Sequence, residues 1–186
     1  MQALSPEIIF RGINSWEKSL PEIQKFTRRP LLLGRSESTR NLRNKLFLDL
    51  KKNNLEVYSA NLKFDCCYED ISKIKNFILK NNCDSIIAAG GGKVLDAGKF
   101  IAESLSIPVI TVPLSASTCA GWTSLSNIYS SNGQFIEDIK LRTCPKILVF
   151  DHEFIKSAPR RTLASGIADA LAKWYESSLT SSRVDD

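Results

Sequence analysis

A chain of 186 residues, 43% of them hydrophobic, is long enough for one packed domain, or for one domain and the start of a second. Its formal net charge is +5, and the excess lies in residues 1–63, where 12 Lys and Arg residues stand against 6 Asp and Glu. No aromatic–basic module accompanies these charges, so nucleic acid is not an expected partner. No apolar run approaches the ~20 residues that cross a bilayer, so no membrane partner is expected either.

Taken in chain order, apolar runs alternate with amphipathic stretches. The predicted strands are 6–12, 30–34, 55–60, 84–91, 107–113 and 146–151, and the predicted helices are 15–26, 37–53, 69–82 and 93–105. Strands that alternate with helices are joined by crossover connections, which produce a largely parallel sheet flanked by helices. Ligands of such sheets bind beyond the carboxyl ends of the strands.

The stretch IIAAGGGKVLDAGKFIAE, residues 86–103, reads as a buried strand, a glycine turn and a helix. Gly90, Gly91 and Gly92 permit positive φ and bring backbone N–H groups close to a ligand. The helix that follows presents the positive end of its dipole and its unpaired N–H groups, with Lys93 in the first turn. The turn therefore indicates a phosphate site, and the pyrophosphate of a nucleotide is the expected ligand.

The same turn has a second interpretation, in which it joins a strand to a helix without binding anything. Asp96 would then be an acid in the first turn of the helix, where the dipole favours it. The spacing is not that of a P-loop, and it does not match GxGxxG. The local pattern alone leaves both interpretations open.

Two segments interrupt the alternation. Residues 113–138 form a polar loop and a predicted hairpin, with SNG as the turn signal. Residues 159–179 form a predicted helix with one apolar face. The opposite face carries Asp169 and Lys173, whose i,i+4 spacing offers a plain electrostatic explanation for the acid.

The five cysteines are odd in number and include no CxxC pair. This pattern is typical of a reducing compartment rather than of a disulfide framework. The N-terminal stretch MQALSPEIIFRG lacks the charged start and long apolar run of a secretory signal. We therefore expect a cytoplasmic protein.

Four motifs together resemble the glycerol dehydrogenase branch of the iron-containing alcohol dehydrogenase superfamily. They are GGGKVLDAGK, PVITVPLSASTCAGWTSLSNIYSSNGQF, KILVFD and SGIADALAKWYE, in that order along nearly the whole chain. The resemblance implies a Rossmann-like α/β domain that binds NAD(H), here residues 1–158. It also implies an all-helical domain, of which residues 159–186 would be the first part, and a divalent metal, zinc or iron, in the cleft between the two.

The resemblance also implies roles for individual residues. The turn that meets the cofactor pyrophosphate would comprise Gly91, Gly92, Lys93 and Asp96. The positions that line the nicotinamide side would be Leu114, Thr123, Leu125 and Tyr129. Asp169 would be the first metal ligand and Cys119 the substrate-binding position, and no catalytic side chain beyond the metal site is expected.

Three departures from the family pattern modify these expectations. The two histidine ligands of the family have no counterpart, because the chain contains only His152, which we expect at a helix start or on the surface. Cys119 replaces an aspartate that binds the polyol, and a thiol accepts fewer hydrogen bonds than a carboxylate. Arg35 stands where the family often has an acid for the adenosine ribose, so NADP(H) is expected to bind no worse than NAD(H).

The sequence thus predicts the cofactor-binding half of a metal-dependent enzyme that transfers a hydride from a small alcohol or polyol to NAD. We expect the chain to be truncated and inactive by itself. A second copy or a complementing C-terminal half is an expected partner. The alternatives are a non-catalytic nucleotide-binding remnant and a fragment of a dehydroquinate synthase-like lyase.

Overall fold

The computed structural model describes residues 5–181, apart from the side chains of residues 180 and 181. Its main feature is a six-stranded sheet in the order β1-β8-β5-β4-β2-β3, in which every neighbouring pair is parallel. The strands are β1 Ile8–Gly12, β2 Pro30–Gly34, β3 Tyr58–Asn61, β4 Ser85–Gly90, β5 Val109–Pro113 and β8 Ile147–Asp151. The predicted Rossmann-like α/β fold is confirmed.

Six helices accompany the sheet in the described part of the chain. They are α1 Ser15–Phe26, α2 Arg40–Lys52, α3 Tyr68–Asn81, α4 Gly92–Leu105, α5 His152–Ser157 and α6 Arg160–Ser181. Every residue of β2, β4 and β5 is buried, as expected for central strands covered on both faces. Two apolar clusters fill the space between the sheet and the helices, one with Leu31 and Ile86 and the other with Leu32 and Ile87.

The predicted helix 37–53 was wrong at its start. Residues Glu37–Thr39 form a separate 3-10 turn, and α2 begins at Arg40. The Ser36 hydroxyl accepts a hydrogen bond from the N–H of Ser38 at 3.3 Å and so begins the short turn instead of the helix. The result is a compact loop, residues 35–39, at the carboxyl end of β2.

The short helix α5 was not predicted, although His152 lies exposed at its first residue as expected. Asp151 precedes it at the end of β8 and is fully buried. Its carboxylate accepts hydrogen bonds from the N–H of Glu153 at 2.9 Å and from the N–H of Trp16 at 3.0 Å. One acid therefore caps α5 and also binds the start of α1, which ties the first helix to the last strand.

The hairpin predicted after β5 is confirmed. It consists of β6 Leu125–Tyr129 and β7 Phe135–Lys140, which pair antiparallel, and Gly133 in the turn has φ +85°. The hydroxyl of buried Ser126 donates to the carbonyl of Asp96 at 3.0 Å, and the N–H of Tyr129 donates to the carbonyl of Cys66 at 2.9 Å. The hairpin is thus attached to α4 and to the loop after β3.

Helix α6 lies against the loop that follows β5. A side chain at Gly166 would overlap the carbonyl oxygen of Ala116, so only glycine permits this approach. The opposite, apolar face of α6 is exposed, with Trp174 73% accessible. The other exposed apolar residues of α6 are Leu163, Ile167, Leu171, Tyr175 and Leu179. Across residues 5–181, no helix combines the length and the apolarity that a bilayer crossing requires.

Candidate functional site

The glycine turn lies at the carboxyl end of β4, and its glycines are needed for space rather than for positive φ. Positive φ occurs in the described glycines only at Gly12 and Gly133, so the turn does not use the positive φ that its glycines permit. A β-carbon at Gly90 would lie 2.8 Å from the side chain of Val94, and one at Gly92 would lie 3.0 Å from that of Thr118.

Gly91 differs from its neighbours. It precedes α4 with φ −85° and ψ −175°, an extended conformation that any residue adopts. A β-carbon there would meet nothing closer than the Ser115 hydroxyl at 3.8 Å. The space beside Gly91 is therefore open to a ligand.

A cavity of about 250 Å³ adjoins this turn. Its lining residues are Arg35, Ser36, Thr39, Gly90, Gly91, Gly92, Lys93 and Val94. The first N–H groups of a helix have no partner inside it, and the N–H groups of Gly92 and Lys93 bond no acceptor elsewhere in residues 5–181. Free N–H groups and the positive end of the α4 dipole suit a phosphate group.

The side chain of Lys93 extends from the turn towards the hairpin. Its ammonium forms an ion pair with the carboxylate of Asp65, which is 4% exposed, and lies 5.0 Å from the centre of the Tyr129 ring. The structure therefore brings the predicted Lys93 and Tyr129 together directly, with Asp65 paired to the same ammonium. No local pattern predicts the role of Asp65, which is 28 positions away from Lys93.

Asp96 lies in the second turn of α4 and not in the first, so its interpretation as a first-turn acid was wrong. Its carboxylate pairs with the ammonium of Lys99 at 3.0 Å, and both side chains are buried. Burial raises the pKa of Asp96, against the opposing attraction of Lys99. Asp96 is not among the residues that line the cavity.

Lys99 connects Asp96 to the segment that leads into β6. Its ammonium donates to the carbonyl and hydroxyl of Thr123, at 3.2 and 3.1 Å, and to the carbonyl of Leu125. Thr123 and Leu125, two of the predicted nicotinamide-side residues, are thus held in place by buried Lys99, which is not among the predicted site residues. The i,i+3 spacing of Asp96 and Lys99 was a signal that could have identified it.

Leu114 directly follows β5 and is buried. Its N–H donates to the carbonyl of Gly90 at 3.0 Å, which joins the end of β5 to the start of the glycine turn. Leu114 therefore lies beside the turn, at the same edge of the sheet.

Cys119 lies in the loop after β5, and Asp169 lies on α6, which packs against that loop. Lys173 is an exposed residue of α6 whose pKa is raised by its hydrogen bond to Glu176 and, to a smaller extent, by the charge of Asp169. The ion pair that Lys173 forms is with Glu176 at 2.8 Å, rather than the one expected with Asp169. Cys119 is exposed and Asp169 is half-buried.

The residues described here do not complete a metal site. No group of three or more His, Cys, Asp or Glu side chains within residues 5–181 is placed to hold a metal ion. Catalytic zinc sites take three protein ligands, so Asp169 alone does not fit one.

The cysteines differ in burial, so their reactivity tests where the structure places the loops that carry them. Burial raises the pKa of Cys66 to about 12, and burial also raises the pKa values of Cys67 and Cys83. Because the thiolate is the reactive form, we expect iodoacetamide at pH 8 to modify exposed Cys119 while these three remain protected. Peptide mass spectrometry at successive times measures the order in which the cysteines are modified. In guanidinium all three should become reactive, and labelling of Cys66 as fast as Cys119 in the folded chain would contradict its burial.

The chain was compared with known proteins in sequence and structure. Residues 6–152 match the sequence profile of the iron-containing alcohol dehydrogenase family. An uncharacterized oxidoreductase of Synechocystis sp. is 37% identical over 185 residues, which cover 99% of this chain and 47% of that protein. Glycerol dehydrogenase 1 of Schizosaccharomyces pombe is 30% identical over 173 residues, which cover 92% of this chain and 38% of that protein.

Solved structures agree with these sequence matches. The crystal structure of glycerol dehydrogenase from Schizosaccharomyces pombe superposes with a TM-score of 0.81 at 29% identity, covering 94% of this chain and 44% of that one. The chain spans about half the length, or less, of these relatives. With a matching profile over most of its length and a relative aligned along nearly all of it, this glycerol dehydrogenase-like chain belongs to the iron-containing alcohol dehydrogenase family.

Proposed function

We propose that the chain binds a nicotinamide adenine dinucleotide at the glycine turn, as the cofactor-binding part of a glycerol dehydrogenase-like oxidoreductase. The observation that carries this proposal is the cavity beside Gly91, where the N–H groups of Gly92 and Lys93 have no acceptor in the described chain. These groups and the α4 dipole would bind the pyrophosphate. The family of the chain supports the same ligand.

The residues beyond the turn would position the rest of the dinucleotide. We propose that Leu114, Thr123, Leu125 and Tyr129 line the nicotinamide side, with Lys99 holding the carbonyls of Thr123 and Leu125 in place. Asp96 would act through Lys99, as a positioning residue, rather than by contacting phosphate. The bound nicotinamide would supply the chemistry of hydride acceptance.

For the whole protein we propose oxidation of a small alcohol or polyol. Residues 1–158 would form the NAD-binding domain and residues 159–186 the start of a helical domain. Cys119 would lie at the substrate, and Asp169 would be one ligand of a zinc or iron ion whose other ligands lie outside residues 5–181. A second copy or a complementing C-terminal half remains the proposed partner, and the free cysteines fit a cytoplasmic location.

Two alternatives differ in chemistry from this proposal. A nucleotide-binding remnant would share the glycine turn but would catalyse nothing, and a dehydroquinate synthase-like fragment would belong to a lyase. The relatives reported above are oxidoreductases and glycerol dehydrogenases, which favours the dehydrogenase.

The proposal is tested by filling the space beside Gly91. Isothermal titration calorimetry of the 186-residue chain should detect NADH binding. The Gly91→Val variant should weaken it by about 30-fold or more, because the added side chain occupies the position of the phosphates, and each tenfold corresponds to 1.4 kcal/mol. The variant should remain folded, since its β-carbon meets nothing closer than 3.8 Å.

Ala164→Val serves as the control, because Ala164 is exposed on α6 and lies outside the cavity. This variant should bind NADH as tightly as the unmodified chain does. Equal affinity in the unmodified chain and in Gly91→Val would place the dinucleotide elsewhere and contradict the proposal.

A further inference from the structure

The loop of residues 35–39 supplies one wall of the cavity beside the glycine turn. It follows β2, and β2 is the direct neighbour of β4 in the sheet, so the loop and the turn extend from adjacent carboxyl ends. Arg35, Ser36 and Thr39 line the same cavity as the turn. Whatever the turn binds through phosphate therefore also meets this loop.

Arg35 is an arginine with no partner in the structure. Its side chain is exposed, and within residues 5–181 its guanidinium makes no hydrogen bond or ion pair. The acid of the loop, Glu37, is already paired with Arg40 at 3.2 Å. The positive charge of Arg35 at the cavity is therefore not neutralised by the loop.

A second arginine, Arg43, lies behind the loop, and no acid forms an ion pair with it within residues 5–181. Arg43 is 8% exposed, and its guanidinium donates to the carbonyl of Ser36 at 2.8 Å, to the amide oxygen of Asn61 at 3.1 Å and to the hydroxyl of Thr39. All three acceptors are neutral. The charge of Glu37 offsets part of the cost of burying this guanidinium, and a bound anion would offset more of it.

The lack of a side chain at Gly34 makes room for the side chain of Arg43. Its side chain passes so close to Gly34 that a β-carbon on Gly34 would overlap the guanidinium. Glycine at the end of β2 therefore lets Arg43 reach beneath the loop, where it holds Ser36 and Thr39. Ser36 and Thr39, which line the cavity beside Arg35, are therefore held in place by hydrogen bonds from the guanidinium of Arg43.

The side chains of residues 35–39 bear on which of the two nicotinamide dinucleotides, NAD(H) or NADP(H), binds more tightly. In sheets of this kind the adenosine ribose lies near the strand next to the glycine turn, where an acid binds a free 2′-hydroxyl and an arginine accommodates a 2′-phosphate. No Asp or Glu lines the cavity in the described chain. A carboxylate would repel a phosphate, whereas a guanidinium binds it through paired, charge-assisted hydrogen bonds.

We propose that Arg35, together with the hydroxyls of Ser36 and Thr39 held by Arg43, binds the 2′-phosphate of NADP(H), so that the chain prefers NADP(H) to NAD(H). This inference rests on the proposed function, since it assumes that the pyrophosphate occupies the glycine turn. It makes Arg35 a specificity-determining residue and Arg43 a positioning residue.

The test is a pair of titrations of the 186-residue chain, with NADPH and with NADH, followed by calorimetry. We expect NADPH to bind at least about tenfold more tightly, as charge-assisted hydrogen bonds to a phosphate allow. Arg35→Glu should abolish or invert that ratio while NADH affinity stays within about threefold, since the adenosine 2′-hydroxyl can bond to the new carboxylate. Arg35→Lys should retain part of the preference, because a lysine keeps the charge without the paired hydrogen bonds.

Arg11→Glu is the matched control. It makes the same change of charge on an exposed residue of β1, at the edge of the sheet away from β2 and outside this cavity, so the ratio of the two affinities should stay nearly unchanged. If NADH binds as tightly as NADPH or more tightly, the inference is wrong while the glycine-turn proposal stands. If neither dinucleotide binds, the proposed function fails and the inference fails with it.

Discussion

Lys99→Met is expected to lower the free energy of unfolding of this chain by about 3–5 kcal/mol, the usual effect of removing one partner from a buried ion pair. Methionine is similar in length and apolar, so the loss would not arise from a cavity. It would leave the carboxylate of Asp96 buried without its cation, and three oxygens of Thr123 and Leu125 without their donor. The hairpin would lose one of its attachments to α4, while the hydrogen bond from Ser126 to the carbonyl of Asp96 would remain.

Urea unfolding followed by circular dichroism measures this loss. Lys80→Met is the matched control, because Lys80 is exposed near the end of α3, and the change should stay within about 0.5 kcal/mol. Asp96→Asn should destabilise the chain less than Lys99→Met does, since Lys99 keeps its three neutral acceptors. A Lys99→Met variant as stable as Lys80→Met would show that the buried pair contributes nothing to stability.

Gly98→Val is expected to lower the free energy of unfolding by about 3 kcal/mol or more, at the upper end of the range for overpacked cores. A β-carbon on Gly98 would lie 2.5 Å from the β-carbon of Ala88, in the middle of a strand buried on both faces. Neither backbone can retreat, because α4 is packed against the sheet and β4 is bonded to strands on both sides. The better helix propensity of valine over glycine would recover only a few tenths of a kcal/mol.

Gly91→Val is the matched control for this second effect, because the same substitution at that position meets no atom within 3.8 Å. We expect its free energy of unfolding to remain within about 1 kcal/mol of that of the unmodified chain, as the poorer helix start and the stiffer unfolded chain act in opposite directions. The stability of Gly98→Val would thus report on packing, whereas the NADH affinity of Gly91→Val would report on ligand binding. Equal stability of the two variants would contradict the close approach of α4 to β4.

The sheet could be predicted from the sequence because its signals are local. Each strand is a short apolar run and each helix has its own apolar periodicity, so the alternation predicts parallel pairing without knowledge of any contact. The start of α2 could not be placed in this way. It depends on one hydrogen bond from the N–H of Ser38 to the hydroxyl of Ser36, which competes with helix formation.

The candidate site was predictable in position but not in its internal contacts. The glycine turn was recognisable, whereas the reason for its glycines lies in Val94 and Thr118, whose distances only the folded chain provides. Asp65 reaches Lys93 across 28 positions, and Arg43 acts through the path that Gly34 leaves open. Such contacts depend on the crossover geometry. The proposed roles of the nicotinamide-side residues, of Cys119 and of Asp169 stay predictions.

The pairing of β1 with β8 has a consequence for how the chain folds as it is synthesised. Among the described strands β1 lies at the edge of the sheet and pairs with β8 alone. Glu7 and Lys146, which form an ion pair beside them, are 139 positions apart. Ribosomes add roughly 5–20 residues per second, so β1 waits on the order of 10 s for its partner. Strands β2 to β5 pair with one another and are contiguous in the chain apart from their helices, so they can assemble during that wait. The hydrogen-bonding edge of β1 would therefore stay unpaired in the growing chain until β8 has been synthesised.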